Sequence, residues 1–187
     1  LGLSACNANP LLKAAASDYA PIRLGSHWDY KSPDGATSLA RTVSAAGSYQ
    51  GLDAFVVDSN INGSPSQSHI AFKDGDQLQY SASLGWILSR RLPLVNGNQW
   101  PVPTGNSLVT TRVVVDGIEK VSLPMGDFDA CFKIRTVTDT YNAGSDVTTT
   151  VETLAWAAPG IGDVRYATVA ADGSITTSLQ LVGYTIP

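Results

Sequence analysis

Apolar and polar residues alternate along most of the chain after Gly25, in short runs rich in Val, Ile, Thr, Tyr and Trp. A period of two is typical of β-strands with one buried face, because successive side chains point to opposite sides of a sheet. In the range 175–181, for example, one predicted face carries Ile175, Thr177, Leu179 and Leu181, and the other carries Thr176, Ser178 and Gln180. The pattern predicts an all-β protein.

Asp-Gly and Asn-Gly pairs separate these runs, and both dipeptides favour the positive φ angles of tight hairpin turns. We predict a hairpin in which Leu108 to Val115 turns at Asp116-Gly117 and returns over Ile118 to Leu123. A second predicted hairpin turns at Asp172-Gly173. The remaining pairs are Asp34-Gly35, Asn62-Gly63, Asp74-Gly75 and Asn96-Gly97. So many hairpins in sequence predict a single antiparallel meander that forms a strongly curved sheet or a small barrel, with a two-sheet sandwich as the alternative.

Length and charge limit the number of domains and the kinds of partner that we expect. The chain has 187 residues, of which 43% are hydrophobic and 15% charged, as expected for one globular domain. With 12 Lys and Arg against 16 Asp and Glu, it lacks the basic excess that a nucleic-acid partner requires. No apolar run reaches the roughly 18 residues of a transmembrane helix. We predict one β domain over 19–187, preceded by a separate segment over 1–18.

The amino-terminal segment contains Leu3-Ser4-Ala5-Cys6, which has the pattern of a bacterial lipobox. Leu1 and Gly2 then belong to the end of a signal segment, and the residues up to Ser17 form a tether or, from Pro10, a short helix that Pro21 stops. We predict lipidation of Cys6, with the membrane as partner and the bacterial cell envelope as location, at the outer membrane or the cell surface. The alternative is an ordinary terminus that contains a cysteine.

The second cysteine, Cys131, has two interpretations. An envelope protein lies in an oxidising compartment, and two cysteines could form a disulfide. If Cys6 carries lipid, however, Cys131 has no partner within the chain. The surrounding sequence, Ala130-Cys131-Phe132-Lys133-Ile134, is typical of a core strand, where a thiol behaves as a small apolar group. We therefore predict a buried free thiol.

Three segments together carry a family resemblance: 19–30 (YAPIRLGSHWDY), 126–134 (GDFDACFKI) and 156–164 (WAAPGIGDV). In this order they resemble a broad group of bacterial envelope lipoproteins with a Y-P-x-x-x-G-x-x-W-x-Y opening, a G-x-F-x-x-C strand and an A-P-G-x-G-x-V turn on a curved antiparallel sheet. The resemblance implies a fold and a location, and it brings no catalytic residues. From their residue types alone, the same segments are expected to form parts of the core and turns between strands.

Hydrolytic chemistry finds no support in the sequence. The G-x-S-x-G elbow is absent, and each histidine directly follows a serine, in Ser26-His27 and Ser68-His69. Neighbouring side chains on a strand point to opposite faces, so neither pair could form a nucleophile and its base. If the chain is an enzyme, a metal-dependent oxidoreductase is therefore preferred over a hydrolase.

The two histidines, His27 and His69, are the candidate metal ligands. A sheet could bring them together, and Met125, Cys131, Asp29 or Tyr30 could complete a site. Imidazole with sulfur or phenol ligands suits copper, so copper is the one candidate cofactor, although none is firmly implied. The function would then be extracytoplasmic redox chemistry such as copper-only superoxide dismutation. The His-x-His pattern of copper dismutases is absent, and surface or hydrogen-bonded core histidines are the alternative.

A candidate binding surface lies in the central third of the chain, which contains Tyr80, Trp86, Arg90, Arg91 and Trp100 beside proline-rich stretches. Aromatic residues in rigid loops between strands can form a recognition surface. Alternatively, the tryptophans close one end of the sheet and the arginines are solvated. The leading functional hypothesis is an envelope lipoprotein that acts as a binding or accessory subunit of a larger surface assembly, and the alternative is the copper redox protein.

Overall fold

A computed structural model describes residues 19–187, and almost all of their regular structure is β-strand. The predicted lipobox, tether and helix over 1–18 lie outside these residues. No helix within 19–187 has the length and apolar character needed to cross a membrane. The strands are β1 (His27–Lys31), β2 (Ser38–Tyr49), β3 (Leu52–Ile61), β4 (Ser64–Lys73), β5 (Asp76–Ser81), β6 (Gly85–Arg90), β7 (Gln99–Val102), β8 (Val109–Leu123), β9 (Gly126–Asn142), β10 (Val147–Ala158), β11 (Gly162–Val169) and β12 (Ile175–Thr185).

All twelve strands belong to one antiparallel sheet with the order β6-β5-β4-β3-β2-β1-β12-β11-β10-β9-β8-β7. Strands that are consecutive in sequence pair with each other, except β6 and β7, and the one added pairing joins β1 to β12. The sheet curls into a nearly closed barrel whose two edges, β6 and β7, are consecutive in the chain but are not hydrogen-bonded to each other. The predicted curved antiparallel meander is confirmed, and the sandwich alternative is not observed.

Five of the six Asp-Gly and Asn-Gly pairs lie in turns between strands, as predicted. Asn62-Gly63 and Asp74-Gly75 have positive φ at both residues (49° and 86°, 54° and 89°), which is the conformation of a tight hairpin turn. The Asp116-Gly117 hairpin prediction is wrong. There β8 continues without a turn, because the chain forms a β-bulge between Val115 and Gly117 opposite β9. The actual turn between β8 and β9 lies at residues 124 and 125.

Two apolar clusters fill the space enclosed by the sheet and its loops. One is built around Trp28, Tyr30, Leu154, Trp156 and Leu181. The other is built around Leu92, Leu94, Trp100, Val115 and Phe132. Cys131 belongs to the first cluster, has 0% exposure and carries a free thiol, so the predicted buried free thiol is confirmed. Burial raises the pKa of this thiol to about 11, which keeps it protonated and unreactive near neutral pH.

The three sequence segments singled out above meet in the structure. The Trp28 indole N–H donates to the Ile161 carbonyl at 2.6 Å, and the Tyr30 hydroxyl donates to the Asp163 carbonyl at 2.8 Å. Gly162, with φ +92°, lies against Pro21, and a Cβ at this position would come within 3.4 Å of the proline ring. Tyr19 packs edge-on against Phe132 with ring centroids 4.8 Å apart. Residues far apart in sequence therefore fix the start of β11 against β1.

Candidate functional site

A cavity of about 270 Å³ opens on the face of the sheet formed by β1 to β6 and the start of β11. The strands place these side chains together because directly paired residues share a face: Trp28 pairs with Arg41, and Ile70 pairs with Gln79. All four line the cavity. Its polar lining further includes Tyr30, Ser68, Gln77, Ser89, Arg90, Asp163 and Tyr166.

An ion pair crosses the cavity wall between β6 and β11. Arg90 Nη2 lies 2.8 Å from Asp163 Oδ1 and 3.0 Å from Oδ2, and Arg90 Nη1 donates to the Tyr19 carbonyl at 2.9 Å. Only 14% of the Arg90 side chain and 16% of the Asp163 side chain are exposed. Charge-assisted hydrogen bonds of this kind are stronger than neutral ones, and they fix both side chains in place.

A second arginine enters the same network through a tyrosine. Arg41 Nη1 donates to the Tyr166 hydroxyl at 3.1 Å, and that hydroxyl donates to Asp163 Oδ2 at 3.0 Å. Burial raises the pKa of both Tyr166 and Tyr30, and the pKa of the Arg41 guanidinium beside Tyr166 lies above its usual value. At neutral pH the two phenols are therefore uncharged hydrogen-bonding groups, and Arg41 is a cation.

Two solved structures resemble this chain in fold. One is a protein of Parabacteroides distasonis named as a candidate lipoprotein, with a TM-score of 0.59, 14% identity and coverage of 87% of this chain and 96% of that chain. The other is a candidate exported protein of Bacteroides fragilis with a YmcC-like fold, with a TM-score of 0.57, 16% identity and the same two coverages. The chain shares this fold. No protein-family model matches the sequence, and no curated protein matches it.

The predicted metal ligands lie in separate parts of this fold. His27 Nδ1 is 2.7 Å from Thr42 Oγ1 and its Nε2 is 3.0 Å from Asp29 Oδ2, so both ring nitrogens are engaged on β1 and β2. The His69 ring is on β4, three strands away from β1, and stacks on Tyr49 at 3.6 Å between centroids.

The sulfur ligands of the predicted site are equally separate. Cys131 is buried in β9, and Met125 is 39% exposed at the β8–β9 turn. Tyr30 faces the cavity, on the opposite side of β1 from His27 and Asp29. Within 19–187 no three His, Cys, Asp or Glu side chains are grouped so that they could hold a metal ion. Copper binding stays a prediction, which copper titration of the His27→Ala and His69→Ala variants would test.

The structure divides the predicted binding surface among four places. Tyr80 and Trp86 are paired across β5 and β6 with ring centroids 5.4 Å apart, and they form one cluster with Tyr49 and His69 on the face opposite the cavity. Trp86 also donates its indole N–H to the Gln50 carbonyl at 3.2 Å.

The other three members of the predicted surface lie elsewhere. Trp100 is only 2% exposed and packs in the second apolar cluster. It is therefore a core residue, which corrects its assignment to a binding surface. Arg90 lies in the cavity wall, whereas Arg91 is exposed and 3.9 Å from Asp76.

The central residues of the cavity network, Arg41, Asp163 and Tyr166, were not among the predicted site residues. One local signal exists. Arg41 lies on the same strand face as Leu39 and Val43, which are both buried, so a charged side chain shares a face with core residues. A buried charge needs a partner. The sequence does not show that partner, because Tyr166 lies 125 residues further along the chain.

Proposed function

We propose that this chain is a bacterial envelope lipoprotein, anchored through Cys6, that acts as a binding or accessory subunit of a surface assembly. The cavity between β1–β6 and β11 is its ligand site. The location is supported by the lipobox Leu3-Ser4-Ala5-Cys6 and by the names of the two proteins with the same fold, a candidate lipoprotein and a candidate exported protein.

The cavity is the observation that carries a binding role. Ligand sites are typically concave, largely preformed and lined by a few polar groups with fixed orientation. Here Arg90, Asp163, Tyr166 and Arg41 hold one another through hydrogen bonds of 2.8 to 3.1 Å, so the wall is ordered before any ligand enters. The volume of about 270 Å³ lies just below the common range of roughly 300–1,000 Å³. The ligand is therefore small.

The chemistry of the cavity favours binding over catalysis. Asp163, its one carboxylate, has both oxygens occupied by Arg90 and one of them also by Tyr166. The raised pKa values of Tyr30 and Tyr166 keep both phenols protonated, so neither can accept a proton at neutral pH. Neither histidine is among the lining residues. The described lining therefore offers no free group that could take a proton from a substrate at neutral pH.

Anchoring can be tested by mass spectrometry of the protein expressed in a diderm bacterium. We expect a peptide that begins at Cys6 and carries a diacylglyceryl group, in the membrane fraction. In the Cys6→Ser variant the protein should move to the soluble fraction. Recovery of the protein from the membrane fraction with an unmodified Cys6 would contradict the proposal.

Ligand capture can be tested by native mass spectrometry of the protein isolated from its own membranes. We expect the wild type to carry a bound small molecule, and Ser68→Phe to lose it because the new ring occupies the cavity. Ser66→Phe is the matched control, since Ser66 lies on the same strand, is exposed and does not line the cavity. Equal ligand content in wild type and Ser68→Phe, or none in either, would overturn the cavity as the binding site.

A further inference from the structure

Charge is unevenly matched within the cavity. Its lining has three charged side chains, the cations Arg41 and Arg90 and the anion Asp163. Asp163 forms its ion pair with Arg90, whereas Arg41 forms no ion pair with any residue of 19–187. The lining therefore carries one net positive charge. Asp163 reaches Arg41 only through the Tyr166 hydroxyl and is shared between two arginines, and an excess of one positive charge in a partly enclosed site attracts an anionic ligand more strongly than it would in open water.

The Arg41 side chain is also held in a fixed position. Its Nη1 donates to the Tyr166 hydroxyl, and its guanidinium carbon lies 6.0 Å from the centre of the same ring. A guanidinium has five N–H donors in a planar fork that matches the two oxygens of a carboxylate. The bond to Tyr166 is the hydrogen bond that Arg41 forms within the described chain. The other N–H donors of its guanidinium have no partner within residues 19–187.

The rest of the lining indicates what surrounds the charged group of that ligand. Ser68, Gln77, Gln79 and Ser89 contribute hydroxyl and amide groups, which bind alcohol groups as donors and acceptors. Apolar surface is supplied by side chains that can cover the carbon atoms of a small ring, namely Trp28, Val57 and Ile70. The Ser89 hydroxyl already donates to the Gln77 carbonyl at 3.0 Å, so it offers a ligand an acceptor. A purely apolar acid would leave the Ser68 hydroxyl and the Gln77 and Gln79 amides without a ligand partner, which is costly in a partly enclosed site.

We infer that the cavity selects a small polyhydroxylated carboxylate, with the carboxylate bound by Arg41 and the hydroxyl groups by the serine and glutamine side chains. The inference rests on the proposed function, because it assumes that this cavity is the binding site. Arg41 is the specificity-determining residue. Arg90 is the positioning residue, since its charge is matched by Asp163 and it holds the wall in place.

The test is isothermal titration calorimetry with two probes of similar ring size, D-glucuronate and D-glucose, which differ in the carboxylate. We expect the wild type to bind glucuronate at least about tenfold more tightly than glucose, as one charge-assisted bidentate contact provides. Arg41→Gln should abolish that preference while leaving weak binding of glucose. Arg41→Lys should keep part of it, because the charge stays and the planar fork is lost.

The matched control is Arg112→Gln, which removes an arginine from β8, outside the cavity, where it lies 3.6 Å from Asp139. This variant should bind like the wild type. Thermal unfolding of all variants separates loss of binding from loss of the fold.

The possible outcomes separate the inference from the proposed function. Equal affinity for both probes, or a preference that survives Arg41→Gln, would overturn the inference and leave the cavity as a binding site. The wild type could also bind neither probe but carry a native ligand that Ser68→Phe loses. That result would overturn the inference and leave the cavity as a binding site. Absence of both probe binding and native ligand would overturn both proposals. Inorganic phosphate that binds more tightly than glucuronate would reassign the site to phosphorylated ligands.

Discussion

Two arginine–aspartate pairs of similar geometry lie in different surroundings. Arg90 and Asp163 are joined by contacts of 2.8 and 3.0 Å in the cavity wall, and Arg135 and Asp116 by contacts of 3.0 and 3.1 Å between β8 and β9. The exposed fractions are 14% and 16% for the first pair, but 35% and 23% for the second. Geometry alone would rank the pairs as equals. Burial makes the loss of one partner costly in the first pair, whereas water screens the second pair.

Asp163→Asn should have the largest effect on stability. The change keeps the size of the side chain but leaves the Arg90 and Arg41 cations without a nearby carboxylate. Removing one partner of a buried pair lowers the free energy of unfolding by about 3 kcal/mol. Urea denaturation followed by tryptophan fluorescence measures the change. A loss below about 1 kcal/mol would mean that the cavity is wet enough to solvate both arginines.

Tyr166→Phe should have an intermediate effect, because the hydroxyl links Arg41 to Asp163. We expect the free energy of unfolding to fall by about 1.5 kcal/mol, because a hydrogen bond to a charged group is lost and its partner is left unsatisfied. Tyr141→Phe is the control, since its hydroxyl donates to Asp146 over the same distance of 3.0 Å but is exposed. Its loss should stay below about 0.5 kcal/mol. Equal losses would remove the contrast between the two regions.

Asp116→Asn should have the smallest effect of the charge changes. Arg135 keeps a second carboxylate partner, Glu152 at 3.7 Å, and both groups remain hydrated. The free energy of unfolding should fall by less than about 1 kcal/mol, and the difference from wild type should shrink further in 1 M NaCl. Denaturation at low and high salt checks both statements. A salt-independent loss as large as that of Asp163→Asn would show that the pairs are equivalent.

The fold was accessible from sequence because its signals are local. Five turns are marked by adjacent Asp-Gly or Asn-Gly residues, and strands are marked by alternation between adjacent residues. The prediction at Gly117 is wrong because a local signal is ambiguous there. An Asp-Gly pair fits a bulge as well as a hairpin turn, and only the pairing with β9 decides between them. In β12, a further bulge between the partners of Tyr166 and Ala167 interrupts the regular alternation. Each bulge depends on the partner strand, which a single run of residues does not contain.

The cavity was less accessible because its contacts are long-range. The sequence predicts Arg90 as part of a binding surface but does not show its partner Asp163, which lies 73 residues away. Trp100 illustrates the reverse problem, since an aromatic residue beside prolines fits a recognition loop and a core equally well. Its burial follows from Leu92 and Leu94, which the chain brings back against it. The sequence identifies candidate residues by type and neighbours. Only the curled sheet shows which of them share a cavity.

The pairing of β1 with β12 brings the first and last strands of the described residues together. His27 lies opposite Thr185, and Arg23 donates to the Pro187 carbonyl at 2.7 Å. A short linker could therefore join these two strands, and the chain could be opened at the Asn62-Gly63 turn, with every strand pairing retained. Such a circular permutant would move an amino-terminal anchor to the far end of the β3–β4 hairpin. The orientation of the cavity relative to a membrane could then be changed without altering a single residue that lines it.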